Sequence, residues 1–322
     1  MADAVRLLEV DGPLDLVRTL RPLADGGGDP TWRFSRDPGG GGGRALRAMW
    51  TPDGAATVEL HLPAGGEGAI LTCRAWGPGA DWVLQRADAM AGLHDDRRGF
   101  RPELHPVVAA TDRRMAGVRM GRALTVGDVV VPIVLGQRVT TGEARRSWWR
   151  LVWRHGHAAP GAAIGSADPG STAARLPPTP HTLARLGDAD WHVLGVERGR
   201  ADAVRGLLAV LPALERAAAA RDTLALRTVA ESVRGVGPWT STAMASAVLG
   251  DPDVVLLGDL HLPHAVGHAL ADEERGSDER MLELLEPFRP HRGRVVRLLK
   301  YSGQGAAPRR GPRYTPLPIA EM

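Results

Sequence analysis

One cysteine, Cys73, and one lysine, Lys300, stand in a chain of 322 residues. A lone cysteine excludes an internal disulfide, a cysteine-ligated iron–sulfur cluster and a zinc knuckle, so a reducing, cytoplasmic setting is expected. Long apolar runs are missing too. The best of them, VVVPIVLG at Val129 to Gly136, is too short to cross a bilayer and contains a proline, so no membrane partner is expected. The first twenty residues alternate charged and apolar positions without a basic n-region or an unbroken apolar core, and no signal peptide is read there. Net charge is also small, at +3, which by itself establishes no nucleic-acid partner.

What the chain has instead is arginine, 39 against the single lysine, together with 43% hydrophobic content and nine tryptophans. That is enough apolar material for a substantial core divided over two or three domains. In the first hundred residues RALRAMW, AATVELHL and AILTCRAW carry apolar residues near period two, separated by PGGGGG, TPDG and AGGEG, which predicts an antiparallel meander. Helices are expected in PLDLVRTLRPL before it and GADWVLQRADAMAGL after it. The run Gly39 to Gly43 lacks the Lys and Ser/Thr that a phosphate-binding loop needs and reads as a hairpin connection. HDDRRGFRP, from His94, reads as a linker.

Beyond it the period becomes helical. Segments are expected near Glu103 to Arg114, Val126 to His155, His181 to Leu186, Ala201 to Ala219, Thr223 to Val233, Ser241 to Leu249, Pro263 to Ala271 and Asp278 to Leu299. HAAPGAAIGSADPGSTAARLPPTP between them reads as a surface loop. The class is therefore α+β, an N-terminal antiparallel sheet followed by an all-helical region.

Two of these helices meet at RGVGPWT, Arg234 to Thr240. Leu226, Val229, Ala230 and Val233 precede it at helical spacing, and Ala243, Met244, Ala247 and Val248 follow it. Gly235 and Gly237 leave backbone amides uncovered, and Gly237, Trp239 and Thr240 fall at a helix N-terminus, where unpaired N–H groups and the dipole favour a phosphate. Alone, the pattern also fits an ordinary helical corner with glycine at the C-cap. The histidines of DLHLPHAVGHAL, His261, His264 and His268, raise zinc, but no acidic third ligand stands at a recognised spacing. Arg292, Arg294 and Arg297 could reach phosphates or form a solvated basic face.

VRGVGPWTSTAMASAVLG resembles the helix–hairpin–helix of the DNA glycosylase superfamily, and GDLHL carries an aspartate, Asp259, 22 residues beyond Gly237, as that superfamily places its catalytic carboxylate. VLGQRVTTGEARRSW resembles the family's helix bearing a Gln before the residue that fills the gap in the duplex. WHVLGVERGRADAV and FRPHRGRVVRLL are similar to later helices, and the N-terminal meander is similar to the TATA-box-binding-protein-like domain of AlkA-type 3-methyladenine DNA glycosylases. The resemblance implies three units, residues 1–103, 124–251, and 104–123 with 252–322. It also implies double-stranded DNA as partner, a monomeric protein, and a location on the nucleoid.

The resemblance further implies site residues. Asp259 would be catalytic; Trp239, Ala243, Lys300 and Tyr301 would line the base pocket. Ala243 and Lys300 depart from the AlkA pattern, which has aromatic residues there. Gly235, Gly237, Thr240, Gln137 and Arg138 would contact DNA, with Arg138 as the wedge. Backbone carbonyls of Glu231, Val233 and Val236 would hold a monovalent cation such as Na+ or K+, with no other cofactor required and no iron–sulfur cluster. In members that also cut the strand, a lysine follows the hairpin's last glycine by two residues; here Trp239 stands there, which implies a monofunctional hydrolase. With one carboxylate in view, a leaving base that already bears positive charge, 3-methyladenine or 7-methylguanine, is expected. A non-catalytic DNA-binding protein, or a glycosylase for a deaminated or oxidised base, remain the alternatives.

Overall fold

The computed structural model describes residues 3–37, 42–64, 68–161 and 174–303. Five antiparallel strands, β1 (Ala4–Glu9), β2 (Trp32–Arg36), β3 (Gly43–Thr51), β4 (Gly54–Leu62) and β5 (Ile70–Trp76), form one sheet in the order β1-β5-β4-β3-β2. The expected meander is β3 to β5. The two strands not foreseen are its edges, β1 beside β5 and β2 beside β3. Most of the glycine run, up to residue 41, lies outside the described residues, and Gly43 opens β3.

Register explains which face is core. Ala45 pairs with Leu60 and Met49 with Ala56, while Leu60 pairs with Cys73 and Val58 with Ala75, so one apolar row crosses three strands. Against it pack α1 (Leu16–Leu20), α2 (Ala80–Leu84) and α3 (Ala87–Met90) through Leu16, Leu20, Val83, Leu84 and Met90. Each expected helix is thus shorter than its apolar pattern, α2 and α3 being separate pieces of one segment. Cys73 lies in this core, and burial pushes its thiol up to about 12. It acts as a small apolar side chain there.

The helical part follows as α4 (Pro106–Arg114), α5 (Gly127–Leu135), α6 (Thr141–His155), α7 (Pro180–Arg185), α8 (Asp188–Val193), α9 (Arg198–Ala209), α10 (Leu211–Ala219), α11 (Thr223–Glu231), α12 (Pro238–Leu249), α13 (Leu262–Ala271), α14 (Asp278–Leu285) and α15 (Arg292–Ser302). Among the described residues no helix is long and apolar enough to cross a membrane.

Three expected helical segments are each two helices. Val126 to His155 breaks at Gly136 to Thr140, because Thr140 starts α6 anew with a reciprocal capping box to Glu143. Ala201 to Ala219 restarts at Leu211, with Pro212 in the first turn of α10, where its missing N–H costs nothing. In Asp278 to Leu299 a 3₁₀ turn, Glu286–Phe288, and Pro290 separate α14 from α15.

One apolar cluster joins α5, α6, α9 and α12 around the fully buried Trp191, and a second joins Val108 of α4 to α13, α14 and α15. The loop expected at the surface is partly structural. Its flanks pair as β6 (His157–Ala158) and β7 (Arg175–Leu176), burying Ala174 and Leu176 against Leu46 and Ala48 on the outer face of the sheet; residues 162–173 lie outside the described ones.

The expected linker is an anchor. Asp95 is 1% exposed and holds Arg294 of α15 through both oxygens, at 2.5 and 2.9 Å, while accepting the Met120 amide at 3.0 Å. Arg292 is likewise paired, with Asp253 at 2.7 Å, and Arg297 is buried beneath the Arg119 carbonyl. None of these three arginines of α15 is therefore placed to meet DNA phosphates. Exposed positions, not basic residues as such, make an electrostatic footprint.

Candidate active site

The hairpin is the corner between α11 and α12. Gly235 has φ +86, a left-handed conformation that only glycine adopts at no cost, and it reverses the chain. Gly237 is different, since its backbone is extended and a Cβ there would meet nothing within 4 Å. Neither conformation nor internal packing requires glycine at 237, since the space beside its Cα is open. Ser241 donates the first intrahelical bond of α12, to the Gly237 carbonyl, so the amides of Gly237, Trp239 and Thr240 have no helical acceptor. They form the kind of donor set that binds an oxyanion.

Behind the hairpin two side chains act as braces. The Gln137 amide donates to the Gly235 carbonyl at 3.1 Å and to Thr240 Oγ1 at 2.8 Å, and Thr240 is only 2% exposed. The Gln137 amide and the Thr240 hydroxyl thus tie the α5–α6 turn to the hairpin, while the Thr240 N–H stays among the amides without a helical acceptor. Gln137 sits in that turn and not on a helix, which corrects the reading of VLGQRVTTGEARRSW as one helix. Arg138 follows it, exposed, at φ +55, a strained conformation for a non-glycine residue.

On the other side of the hairpin, Ser241 donates to Glu231 Oε1 at 2.5 Å, and Arg227 reaches both groups. Sequence patterning overlooked this clamp between α11 and α12, because polar residues on a predicted helix face read as solvated.

The structure brings Trp239 and Asp259 together although 20 residues separate them. Trp239 Nε1 donates to Asp259 Oδ2 at 3.0 Å, and the amides of His261 and Leu262 donate to Oδ1 at 2.9 Å each. Asp259 is half-buried at the start of α13. Burial pushes its carboxyl up, but the indole, the two amides and the charge of Lys300 together pull it below its ordinary value. The group is a carboxylate at neutral pH.

The loop that carries Asp259 is itself held. The Leu257 amide donates to Thr242 Oγ1 at 3.3 Å, and the Gly258 amide donates to Asp278 Oδ2 at 2.6 Å. Neither partner shows in a sequence pattern, since Asp278 reads only as a first-turn acid of α14. The far edge of the Trp239 ring lies against Gly136, 3.4 Å from where a Cβ would stand, so the indole runs from the α5–α6 turn to the carboxylate. Ala243, one turn beyond Trp239 on α12, is half-buried, while Lys300 and Tyr301 end α15 exposed, the ammonium 5.9 Å from the Tyr301 ring centroid.

The histidines of α13 do not converge. His264 Nδ1 accepts the Gly276 amide at 3.0 Å, His268 lies 3.8 Å from Asp272, and no metal-binding group of three His, Cys, Asp or Glu side chains occurs among the described residues. A cavity of about 600 Å³ lies elsewhere, between the sheet and the helices, and neither Asp259 nor Trp239 lines it.

A sheet packed on short helices, then a helical array bent around a hairpin with an aspartate loop beside it, is the helix–hairpin–helix DNA glycosylase fold. The chain is similar to a 3-methyladenine DNA glycosylase from Archaeoglobus fulgidus, with TM-score 0.70 and 18% identity over 92% of this chain and 98% of that one. It is also similar to the 8-oxoguanine glycosylase/lyase of Clostridium acetobutylicum, with TM-score 0.64 and 11% identity over 94% of this chain and 99% of that one. A 3-methyladenine DNA glycosylase from Schizosaccharomyces pombe, in complex with abasic DNA, matches with TM-score 0.50 and 16% identity over 63% of this chain and 94% of its own. No protein-family model and no curated protein matches the sequence.

Proposed function

We propose that this chain is a monofunctional DNA N-glycosylase that flips an alkylated purine, such as 3-methyladenine or 7-methylguanine, out of duplex DNA and hydrolyses its glycosidic bond. The observation that carries the reading is the Asp259 carboxylate, kept ionised by an indole N–H and two amides beside a hairpin with open amides. The hairpin amides of Gly237, Trp239 and Thr240 would take a backbone phosphate, which fixes register without reading sequence. Arg138, exposed beside them, would fill the gap left by the flipped base.

An ionised carboxylate with a lowered pKa is a poor general acid at neutral pH, so the base must leave without a proton from Asp259. A purine alkylated at N3 or N7 meets that condition because it is already cationic. As the C1′–N bond breaks, its electron pair goes to the base, which departs neutral. Positive charge grows on the sugar, and the Asp259 anion stabilises it. Water then forms the C1′–O bond, oriented by the same carboxylate, and its proton passes through Asp259 to solvent. Trp239 bounds the pocket on one side, and the small Ala243 with Tyr301 and Lys300 would give it a less aromatic wall than the AlkA pattern.

Carbonyls of Glu231, Val233 and Val236 would hold a monovalent cation. Val233 already accepts the Val236 amide at 3.0 Å, which leaves it a second lone pair, and neutral carbonyls suit a hard ion of low charge. Bound there, the ion would reinforce the positive end of the hairpin toward a phosphate.

The test of the reading is chromatography of bases released from methylated duplex DNA. Release of 3-methyladenine or 7-methylguanine supports it, and release of neither from any methylated duplex sinks it. Trp239→Phe should lower kcat by about 10- to 100-fold, the worth of one hydrogen bond to a charged group. It removes a cause that lowers the Asp259 pKa, so the acid limb of the activity profile should move to higher pH; an unmoved limb would detach Trp239 from the carboxylate.

A second reading, strand cleavage through a Schiff base, needs a lysine amine, and the sole lysine, Lys300, stands exposed in the last turn of α15. We expect borohydride to trap no covalent complex with abasic DNA. Trapping that disappears in Lys300→Arg would move the protein to the glycosylase/lyase class.

A further inference from the structure

We propose that the cavity between the sheet and the helices binds a small planar anion of the nucleotide class, a purine ring carrying a phosphate. The inference is independent of the glycosylase reading, because the cavity shares no residue with the hairpin or the Asp259 loop. Its volume of about 600 Å³ falls within the range of small-molecule sites.

Three indoles, Trp50, Trp82 and Trp148, line it. Trp50 Nε1 already donates to the Pro177 carbonyl at 2.8 Å, and Trp148 Nε1 to Asp29 at 3.1 Å. With their N–H groups engaged, these two rings offer the cavity apolar, π-rich surface. Such walls suit a flat aromatic body.

The charges in the lining do not balance. Its two carboxylates are occupied: Asp128 pairs with Arg47 at 3.1 Å, and Glu215 accepts the Val126 and Gly127 amides at 2.8 and 3.1 Å. Its arginines are not matched in the same way. Arg86 lies 4.2 Å from the Trp82 ring centroid and donates to the Trp82 carbonyl, which fixes its guanidinium at the wall. Arg221 donates only to the Leu249 carbonyl, at 3.4 Å, and neither Arg122 nor Arg221 makes an ion pair among the described residues. Burial draws the Arg122 pKa down and the neighbouring Arg221 draws it further, against the pull of Asp88. Two guanidiniums that line one cavity and feel each other's charge form a place for a phosphate, which guanidinium forks bind bidentately.

Calorimetric titration of the full chain with adenosine 5′-monophosphate tests this, with adenosine and inorganic phosphate as separate arms. The nucleotide should bind one per chain, each half alone should bind at least about tenfold more weakly, and Arg122→Gln should weaken the nucleotide by about tenfold or more. Ala219→Trp, at an exposed lining position, should abolish binding by filling the space, and it serves as the second variant should Arg122→Gln fail to fold. No heat with nucleotide at about 1 mM would overturn the proposal. So would equal affinity in both variants, or full displacement by abasic duplex DNA, which would place the nucleotide at the hairpin site.

Discussion

Asp259→Asn should reduce release of 3-methyladenine from methylated DNA by about 10³-fold or more, while binding to abasic duplex stays within a few-fold of the parent. The size follows from the proposed role: a fixed anion that stabilises an oxocarbenium sugar and also orients water would combine two contributions that mutagenesis usually finds at about 10²–10³ or above. Binding is expected to survive because the hairpin amides and Arg138 lie on other segments of the chain. The asparagine oxygen can still accept the His261 and Leu262 amides, as Oδ1 does now at 2.9 Å. Its NH₂ then faces the Trp239 N–H across what is now a 3.0 Å bond, two donors in opposition. A modest loss of stability, about 1–3 kcal/mol, should accompany the activity loss. Thermal melting separates the two effects: turnover close to the parent in a folded variant would remove Asp259 from the mechanism.

The turn at the hairpin was legible in the sequence because it rests on local rules, whereas Asp259 was singled out only by its spacing from Gly237 in the family resemblance. Gly235 is needed for a left-handed turn, and Gly237 marks a helix start with uncovered amides. The sheet core was legible for the same reason, since β3, β4 and β5 each carry period-two apolar residues. Edge strands were not. β1 exposes Val5 and Leu7, 57% and 64% accessible, so AVRLLE lacks the polar-outside signature of a half-buried strand.

What the sequence hid at the site were contacts between distant segments. Trp239 read as a pocket wall; nothing in RGVGPWT says that its N–H meets a carboxylate 20 residues on. The tie from Gln137 to Thr240 Oγ1 and the Gly235 carbonyl was hidden because these partners lie about 100 residues away in the chain. The arginines of α15 misled for a related reason. Arginine at helical spacing suggests a basic stripe, and only three-dimensional placement reveals that Arg292 and Arg294 are each matched to an aspartate while Arg297 is buried beneath a carbonyl.

That matching makes Asp95→Ala the substitution with the largest expected cost to stability. Arg294 and Asp95 are 2% and 1% exposed, and the carboxylate holds the guanidinium through two bonds. Removing one member of a buried pair leaves the other charge uncompensated, at about 3–5 kcal/mol. Asp95 serves more than its direct partner. Burial pulls the pKa values of Arg297 and Arg119 down, and the field of Asp95 opposes that pull on both. Without it three neighbouring guanidiniums would share a site with little counter-charge, so the cost should fall at the upper end of that range. Urea denaturation should register it as a lower midpoint with an unchanged slope. The double variant Asp95→Leu with Arg294→Met should recover much of the loss, because two apolar groups impose no uncompensated charge. If Asp95→Ala costs under about 1 kcal/mol, the pair is no anchor. The proposed site would feel the change too, since α15 carries Lys300 and Tyr301 in its last turn, and loosening the helix should weaken base release before it unfolds the chain.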